Sequence, residues 1–372
     1  MHFLPAPKDA REAGGSTGAT GFTRAPGRRS QLPRRSAANA IQSLGKPQGP
    51  TSLSDSANNG EGPNGGLGRL AAAGAPGDIE VRQASIDGQL LQVAIRHGTH
   101  RRPPLLLFNG IGANWELAKP FLQALTDTRA IIFDVPGVGG SPMPSLPYRP
   151  RTLARLAAGL VAELGHTETD VAGVSWGGGV AQQFAYQYPK LCRRLVLAAT
   201  SPGAIMVPAG PSVLWKMATP RRYTDKDYIT KIAPEIYGGA FRTDPSLMAR
   251  HARAIRGTPR LGYLYQLLAM TGWTSLPWLW LLPQPTLILM GRDDPLVPVI
   301  NGHILALLIP RAQLRMIDDG HLFMVTRPAE TAAIIEEFLA DQRASPEPKA
   351  SLIPRTVSQA WRLFPTLERP NH

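Results

Sequence analysis

The pentapeptide G-V-S-W-G at residues 173–177 is the feature that most constrains the fold of this chain. It follows a strand-like run at 170–174 and opens a helix-like run at 178–188. A serine between a strand and a helix, flanked by glycines two residues away on each side, is typical of the tight turn that lifts a hydroxyl above a sheet. Glycine is needed there because neighbouring side chains would collide with the strained turn. The pattern predicts a nucleophile elbow carrying Ser175.

A β-hairpin followed by alternating strands and helices is predicted around this elbow. Asp87-Gly88 is a hairpin signal, and short apolar runs then alternate with helix-like runs. This order predicts a mostly parallel sheet with helices on both faces, which together with the elbow indicates the α/β-hydrolase fold. Strands are predicted at 79–86, 89–95, 104–108, 130–133, 170–174, 194–199, 285–290 and 313–317. Helices are predicted at 115–125, 153–164, 178–188, 299–308 and 329–342.

The alternation stops for about 85 residues, at the place where this fold accepts an inserted lid. We therefore expect 201–284 to form a mainly helical lid, and 78–200 with 285–343 to form the hydrolase core. Residues 1–77 are rich in Gly, Pro and Ser, carry short basic clusters and lack a sustained apolar period, so a disordered head is predicted. Residues 344–372 are predicted to be a C-terminal tail.

Ser175 needs a base, because a serine hydroxyl is a poor nucleophile at neutral pH, and the base needs an acid that orients it. In this fold the acid and then the histidine follow the serine along the chain. His321 comes directly after the last predicted strand, where a loop at the sheet edge can reach the elbow. The other downstream histidines lie in helix-like stretches or at the terminus, so His321 is the predicted base.

The acid is expected after the strand at 285–290, where Asp293 and Asp294 are both candidates. Asp294, three residues after a glycine, fits the usual turn and is the predicted acid, which leaves Asp293 as its capping neighbour. Asp318 and Asp319 are expected to cap the loop that carries the histidine.

Acyl transfer also needs hydrogen-bond donors for the developing oxyanion. The backbone N–H of Trp176 is one predicted donor because it follows the nucleophile. The other is predicted to be the N–H of Ile111, in the loop N-G-I-G-A-N at 109–114 after the third strand. Asn109, which opens this loop, is predicted to contact substrate. A plain glycine turn is the alternative interpretation of the loop.

Four of the seven tryptophans fall in the predicted lid, together with five tyrosines. Some of these rings would form the core of the lid itself. Together they predict a deep apolar pocket or an adsorbing surface, because a small polar substrate would need neither. An acyl chain fits such a pocket, and Trp215, Trp273 and Trp278 are the predicted substrate contacts.

The formal net charge of +13 does not predict a nucleic-acid partner. Part of the excess lies in the predicted head, and no helix-turn-helix, zinc-ligand spacing or aromatic-basic repeat accompanies the rest. The single cysteine, Cys192, excludes an intramolecular disulfide and fits a reducing compartment. The uncharged stretch 261–291 is broken by three prolines, so no membrane span is predicted.

In five segments the sequence closely resembles the intracellular depolymerases of medium-chain-length poly(3-hydroxyalkanoate). These segments are F-N-G-I-G-A-N at 108–114, F-D-V-P-G-V-G-G-S at 133–141, G-V-S-W-G-G at 173–178, Y-G-G-A-F at 237–241 and D-D-G-H-L-F at 318–323. The likeness runs from about residue 79 to about 339, lid included. The elbow is common to many hydrolases, whereas the Asn-Gly loop and Y-G-G-A-F are much narrower signals.

The resemblance implies a triad of Ser175, Asp294 and His321, the same residues that the spacing favours. It implies a cytoplasmic serine hydrolase that acts at stored polyester granules and cleaves ester bonds between 3-hydroxyacyl units through an acyl-enzyme. No metal or organic cofactor is implied. The resemblance assigns no role to residues 1–77 or to the tail.

Three other functions remain open at this point. A small-ester hydrolase and a 3-hydroxyacyl transacylase share the fold and the elbow. Polymer synthases of related fold use cysteine at the elbow, where this chain has Ser175. A non-catalytic granule-binding protein is the alternative of another class, although such proteins usually lose a member of the triad.

Overall fold

The structure is a computed structural model that describes residues 74–99, 102–219, 225–254 and 259–341. The predicted tail at 344–372 and residues 1–73 of the predicted head lie outside these ranges. The eight described strands are β1 (Ile79–Ile86), β2 (Gln89–Arg96), β3 (Leu105–Phe108), β4 (Ala130–Phe133), β5 (Thr169–Val174), β6 (Cys192–Ala198), β7 (Thr286–Gly291) and β8 (Ala312–Ile317).

These strands form one sheet in the order β1-β2-β4-β3-β5-β6-β7-β8. β1 pairs with β2, and β2 with β4, in antiparallel register, whereas every other neighbouring pair is parallel. All residues of β3, β4 and β7 are buried, as expected for parallel strands covered on both faces. The chain therefore has the predicted α/β-hydrolase fold.

The described helices connect these strands or are inserted between them. The α-helices are α1 (Lys119–Ala124), α2 (Pro150–Glu163), α3 (Trp176–Gln187), α4 (Pro211–Ala218), α5 (Lys226–Tyr237), α6 (Ala240–Thr243), α7 (Pro245–Ala254), α8 (Arg260–Met270), α9 (Ile300–Leu308), α10 (Phe323–Thr326) and α11 (Pro328–Ala340), and two short 3₁₀ helices lie at Trp115–Ala118 and Leu279–Leu281. Among the described residues, no helix combines the length and the apolar character needed to cross a membrane.

The core lies in two layers, one on each face of the sheet. Successive residues of β3 point to opposite faces, as in any strand: Leu106 and Phe108 join one buried cluster, whereas Leu105 and Leu107 join the other. The first cluster includes Phe184 of α3, and the second includes Phe338 of α11. Because both faces of the sheet are packed, the carboxyl ends of the strands, where the site residues lie, are held in fixed positions.

The segment between β6 and β7 contains α4 to α8 and has an apolar cluster of its own. Its buried members are Ala209, Val213, Ile229, Ile232, Ala233, Ile236, Phe241 and Met248. These helices lie within the stretch 201–284 that we predicted to be a lid. They pack over the carboxyl ends of the strands through Leu296 and Leu322, which are partly buried against this cluster.

Candidate active site

Ser175 lies on a sharp turn between the end of β5 and the start of α3. Its φ is 52° and its ψ is −121°, a conformation that costs a non-glycine residue on the order of 1–3 kcal/mol. The turn is held by bonds from the Ser175 N–H to the Ala198 carbonyl (2.9 Å) and from the Thr200 hydroxyl to the Ser175 carbonyl (2.7 Å). The neighbouring strand thus holds the hydroxyl above the sheet.

The two glycines of the elbow are required by close approaches. A Cβ on Gly173 would lie 2.4 Å from the Gly177 carbonyl oxygen, and one on Gly177 would lie 2.3 Å from the Phe108 carbonyl oxygen. Both distances are shorter than non-bonded atoms tolerate, so side chains at these positions would push the elbow out of place.

His321 bridges Ser175 and Asp294. Its Nε2 is 3.0 Å from the Ser175 Oγ, and its Nδ1 is 2.8 Å from the Asp294 Oδ2. A carboxylate can only accept, so Nδ1 carries the proton and Nε2 is left to accept from the serine hydroxyl. The structure therefore brings these three predicted residues together in an arrangement able to activate the serine.

Asp294 is fixed independently of the histidine. Its second oxygen, Oδ1, accepts the backbone N–H groups of Leu296 and Val297, both at 2.9 Å. The residue is 7% exposed and His321 is 3% exposed. Water is therefore largely excluded from the bond between carboxylate and imidazole, which strengthens that bond.

The neighbouring carboxylates shape loops. Asp293 forms an ion pair with Arg242 (2.7 Å) and accepts the Gly239 N–H, and the hydrogen bonds from Arg242 lower its pKa. Asp319 accepts the N–H of Ala240 at 2.7 Å, whereas Asp318 is exposed and pairs with Arg292.

The loop after β3 lies next to Ser175, since a Cβ on Gly110 would be 3.8 Å from the Ser175 Cβ. The Gly110 N–H donates to Asn109 Oδ1 (3.0 Å), and the Gly112 N–H donates to Gln266 Oε1 (2.8 Å). The Ile111 N–H between them has no partner among the described residues. Trp176 is the first residue of α3, so its N–H has no acceptor within the helix.

Asn109 holds the shape of this loop. Besides its bond to Gly110, its Nδ2 donates to the Asn114 carbonyl at 2.9 Å. Asp134, the residue after β4, accepts the N–H of Trp115 at 2.7 Å and of Gly140 at 2.9 Å. The loop is thus tied at its start and just beyond its end.

An apolar cavity of about 990 Å³, its open mouth included, contains the hydroxyl and the imidazole. The core contributes Leu107, Leu117, Ala118, Phe121, Val174, Leu296, Leu322, Met324 and Val325, and the inserted helices contribute Met217, Ile229 and Tyr237. Asn109 and Ile111 also line it. Such a cavity suits an aliphatic chain bound next to the serine.

The structure does not bring the three predicted tryptophans to this cavity. Trp215 is 81% exposed on α4. The Trp273 Nε1 donates to Gln183 Oε1 at 2.9 Å, and Trp278 stacks on Tyr186 with 4.5 Å between ring centroids. Trp273 and Trp278 thus pack against the outside of α3, because the chain crosses that helix as it returns to the sheet.

Two residues of the site, Gln266 and Tyr237, were given no role from the sequence, although Tyr237 opens the Y-G-G-A-F segment. Gln266, 1% exposed, accepts from Gly112 and also, through its carbonyl, from the Trp176 Nε1 at 2.9 Å. The sequence feature that could have identified Gln266 is one amide side chain in the mostly apolar helix α8. The backbone N–H of His321 donates to the backbone carbonyl of Tyr237 at 2.7 Å, and the two rings lie nearly parallel, with 6.5 Å between centroids and an 11° interplanar angle.

Within the described ranges, no three His, Cys, Asp or Glu side chains meet in a cluster that could hold a metal ion.

Comparisons with known proteins agree with this fold. Residues 103–328 match the alpha/beta hydrolase fold family. The chain is 51% identical over 278 residues to a poly(3-hydroxyalkanoate) depolymerase of Ectopseudomonas oleovorans, a match that covers 74% of this chain and 97% of the relative. It is 27% identical to a 2-hydroxymuconate semialdehyde hydrolase of Pseudomonas sp. (strain CF600), covering 70% and 96%.

Among solved structures, the enol-lactonase from Burkholderia xenovorans LB400 superimposes with a TM-score of 0.60 at 22% identity, over 70% of this chain and 100% of that one. This likeness concerns the fold alone.

Proposed function

We propose, from the premise that the chain belongs to the alpha/beta hydrolase family and within it to the poly(3-hydroxyalkanoate) depolymerases, that Ser175 is the nucleophile of a polyester hydrolase. The chain is an ester hydrolase. The proposal adds the residues, the substrate and the place: a polymer of 3-hydroxyacyl units with medium-length aliphatic side chains, cleaved at the surface of cytoplasmic granules.

The reaction begins with attack of the Ser175 Oγ on the ester carbonyl carbon. As the new C–O bond forms, the hydroxyl proton passes to His321 Nε2, and Asp294 stabilises the imidazolium through Nδ1. The ester C–O bond then breaks, and the leaving alkoxide takes the proton from His321. Water, deprotonated by the same nitrogen, attacks the acyl carbon of the acyl-enzyme. The bond from that carbon to the Ser175 Oγ then breaks, the serine oxygen takes the proton back from His321, and a 3-hydroxy acid or a shortened chain with a free carboxyl end is released.

The negative oxygen of each tetrahedral intermediate is proposed to accept the N–H groups of Ile111 and Trp176. Each such donor contributes roughly 3–4 kcal/mol to transition-state stabilisation. The unpartnered N–H of Ile111 supports this role, because its neighbours Gly110 and Gly112 already have acceptors.

The single observation that carries the proposal is the pair of hydrogen bonds that link Ser175 to His321 and His321 to Asp294 at the wall of an apolar cavity. The lining of that cavity supports an aliphatic acyl group as the bound part of the substrate. The 51% identity to a protein named as a poly(3-hydroxyalkanoate) depolymerase supports the polymer as its source.

The test is product analysis after incubating the purified chain with granules of medium-chain and of short-chain polyester. We expect 3-hydroxy acids or their oligomers from the medium-chain granules, and none from Ser175→Ala protein that has an unchanged circular dichroism spectrum. Full activity in Ser175→Ala would overturn the proposed nucleophile.

Two other measurements separate the alternative functions. Faster turnover of short soluble esters than of a polymer latex would favour a small-ester hydrolase. Acyl-carrier products formed with thioester acceptors would favour a transacylase.

A further inference from the structure

The segment 237–242 joins the end of α5 to α6. It lies against two loops of the core, which carry Asp294 and His321. One loop follows β7 and carries Asp294, and the other follows β8 and carries His321. We call the segment 237–242 the clasp. It belongs to the helices inserted between β6 and β7, yet it bonds to the core on both sides of the imidazole–carboxylate pair.

Toward the first loop, the clasp holds Asp293, the direct neighbour of Asp294. The Gly239 N–H donates to Asp293 Oδ2 at 2.7 Å, and the Arg242 guanidinium donates to both carboxylate oxygens, at 2.7 and 3.1 Å. A bidentate arginine–carboxylate pair fixes orientation as well as distance.

Toward the second loop, the clasp holds His321 itself. The Tyr237 carbonyl accepts the His321 N–H at 2.7 Å, and the Tyr237 ring lies alongside the imidazole at an angle of 11°. Next to it, the Ala240 N–H donates to Asp319 Oδ1 at 2.7 Å.

The clasp approaches both loops so closely that only glycine fits. Gly238 and Gly239 have φ values of 65° and 52°. A Cβ on Gly238 would lie 2.0 Å from the Asp293 carbonyl oxygen, and one on Gly239 would lie 1.9 Å from Asp319 Oδ1. From the other side, a Cβ on Gly320 would lie 2.0 Å from the Tyr237 carbonyl oxygen.

We propose that the clasp sets the distance between Asp294 and His321, with Tyr237 and Arg242 as positioning residues for the reaction proposed above, on which this inference rests. Apart from the bond between His321 and Asp294, the first loop is joined to β8 and the second loop by backbone bonds from the Arg292 N–H to the Ile317 carbonyl (2.9 Å) and from the Asp293 N–H to the Asp319 carbonyl (3.1 Å), and by the exposed pair of Arg292 and Asp318. The clasp adds contacts to His321 and to Asp293, the chain neighbour of Asp294. Displacement of either residue would alter the distance between the imidazole of His321 and the carboxylate of Asp294. A displacement of about 1 Å at such a place lowers rates on the order of 100-fold.

The test compares Arg242→Gln and Tyr237→Ala with the unmodified chain, using two readouts. The first is the second-order rate constant for labelling of Ser175 by a small fluorophosphonate, together with kcat and KM for a short soluble ester. The second is amide hydrogen exchange of residues 318–323, which needs no catalysis. We expect labelling and kcat to fall at least about tenfold in both variants, with KM for the short ester within twofold in Arg242→Gln, and with faster exchange at 318–323.

Two further variants separate positioning from general stability. Arg315→Gln breaks an ion pair of comparable exposure between β8 and α11, to Glu337 and outside the clasp, and it should leave labelling, kcat and exchange at 318–323 unchanged. Tyr237→Phe, which keeps the ring, should recover most of the rate that Tyr237→Ala loses.

The clasp inference is overturned if Arg242→Gln and Tyr237→Ala keep both the labelling rate and the exchange pattern. It is also overturned if their losses match those of Arg315→Gln or only follow a lowered melting temperature. Failure of the proposed function looks different, because the unmodified chain would then resist fluorophosphonate while hydrogen exchange still reports on the clasp.

Discussion

The sheet and the helices inserted between β6 and β7 meet at the same cavity but are built differently. In the sheet, β3 and β7 are buried throughout, and Ser175, Asp294 and His321 lie one, three and four residues after the last residues of β5, β7 and β8. Helices α4 to α7 share one small cluster, α8 packs against the core through Ala269, and the insertion leaves large apolar side chains exposed, such as Trp215 at 81% and Leu264 at 46%. The difference indicates that the strand ends of the core set the geometry of the three residues, with support from the clasp and α8, whereas the rest of the insertion offers mainly apolar surface.

The largest effect that we expect from this comparison comes from the acid in the core. Asp294→Asn should lower kcat on a soluble ester about 10⁴-fold, because the amide no longer holds the imidazole in the tautomer that can accept from Ser175. Steady-state kinetics with a chromogenic ester measures it. Asp318→Asn, on the same side of the core but 78% exposed, is the matched control and should stay within twofold. Equal losses in the two variants would contradict the assignment of Asp294.

A second prediction concerns stability. Phe184 is fully buried in α3, with its ring 6.0 Å from that of Phe108 and 5.5 Å from that of Tyr188. Phe184→Ala should lower the free energy of unfolding by about 3–5 kcal/mol, measured by urea denaturation at constant m value. Trp215→Ala, in the insertion, should change it by less than about 0.5 kcal/mol. A large loss in Trp215→Ala would show that the insertion is packed as tightly as the core.

A third prediction tests the insertion as a determinant of substrate preference. Met217 of α4 lines the cavity. Met217→Ala should lower kcat/KM for a medium-chain acyl ester about tenfold, because a few methylene contacts contribute about 1–3 kcal/mol. The kcat/KM for an acetyl ester should stay within twofold. Leu214→Ala on the same helix is the control, because this side chain is 46% exposed and is not among the cavity residues. Parallel losses on both esters would place Met217 in the chemistry rather than in substrate selection.

The smallest effect should appear in the pH dependence of the free energy of unfolding, through one carboxylate of the core. Burial raises the pKa of Glu336, but the bonds from the hydroxyl and N–H groups of Thr126 and Thr128 outweigh burial, so its pKa lies below the ordinary value. A carboxylate with a lowered folded-state pKa stabilises the fold above its unfolded-state pKa of about 4.3 and loses that contribution as pH falls through the folded-state value.

Glu336→Gln should therefore lower the free energy of unfolding by on the order of 1 kcal/mol at pH 7, and by less at pH 3. Turnover of a soluble ester at pH 7 should not change. A cost that grows toward low pH would have the wrong sign for this interpretation.

Much of the sheet could be predicted because its signals are local. The hairpin of β1 and β2 and the strand β4 agree with the predicted ranges to within one residue, and the predicted starts of β6 and β7 differ from the observed ones by two residues and one residue. Short apolar runs between turn residues carry this information without help from the rest of the chain. The predicted helix at 115–125 is instead a 3₁₀ turn followed by α1, with Pro120 in the first turn of α1.

The covering side of the site could not be predicted in the same way. The three tryptophans suggested a pocket by composition alone, but where each ring lies depends on how the returning chain crosses α3. The contact of Tyr237 with His321 runs through a backbone carbonyl and a ring stack. Such contacts join residues 84 positions apart and leave no periodic trace in the sequence.

The last inserted helix, α8, belongs to the chemistry as much as to the cover. Through Gln266 it bonds both to the loop that carries Ile111 and to the indole of Trp176, and Gly262 allows it to lie directly on Gly137. A chimera that exchanges covers between relatives should therefore join the two sequences before residue 260 and keep α8 with its own core. Moving α8 with the foreign cover would replace the support of both proposed oxyanion donors, so we expect a loss of turnover in place of a changed specificity.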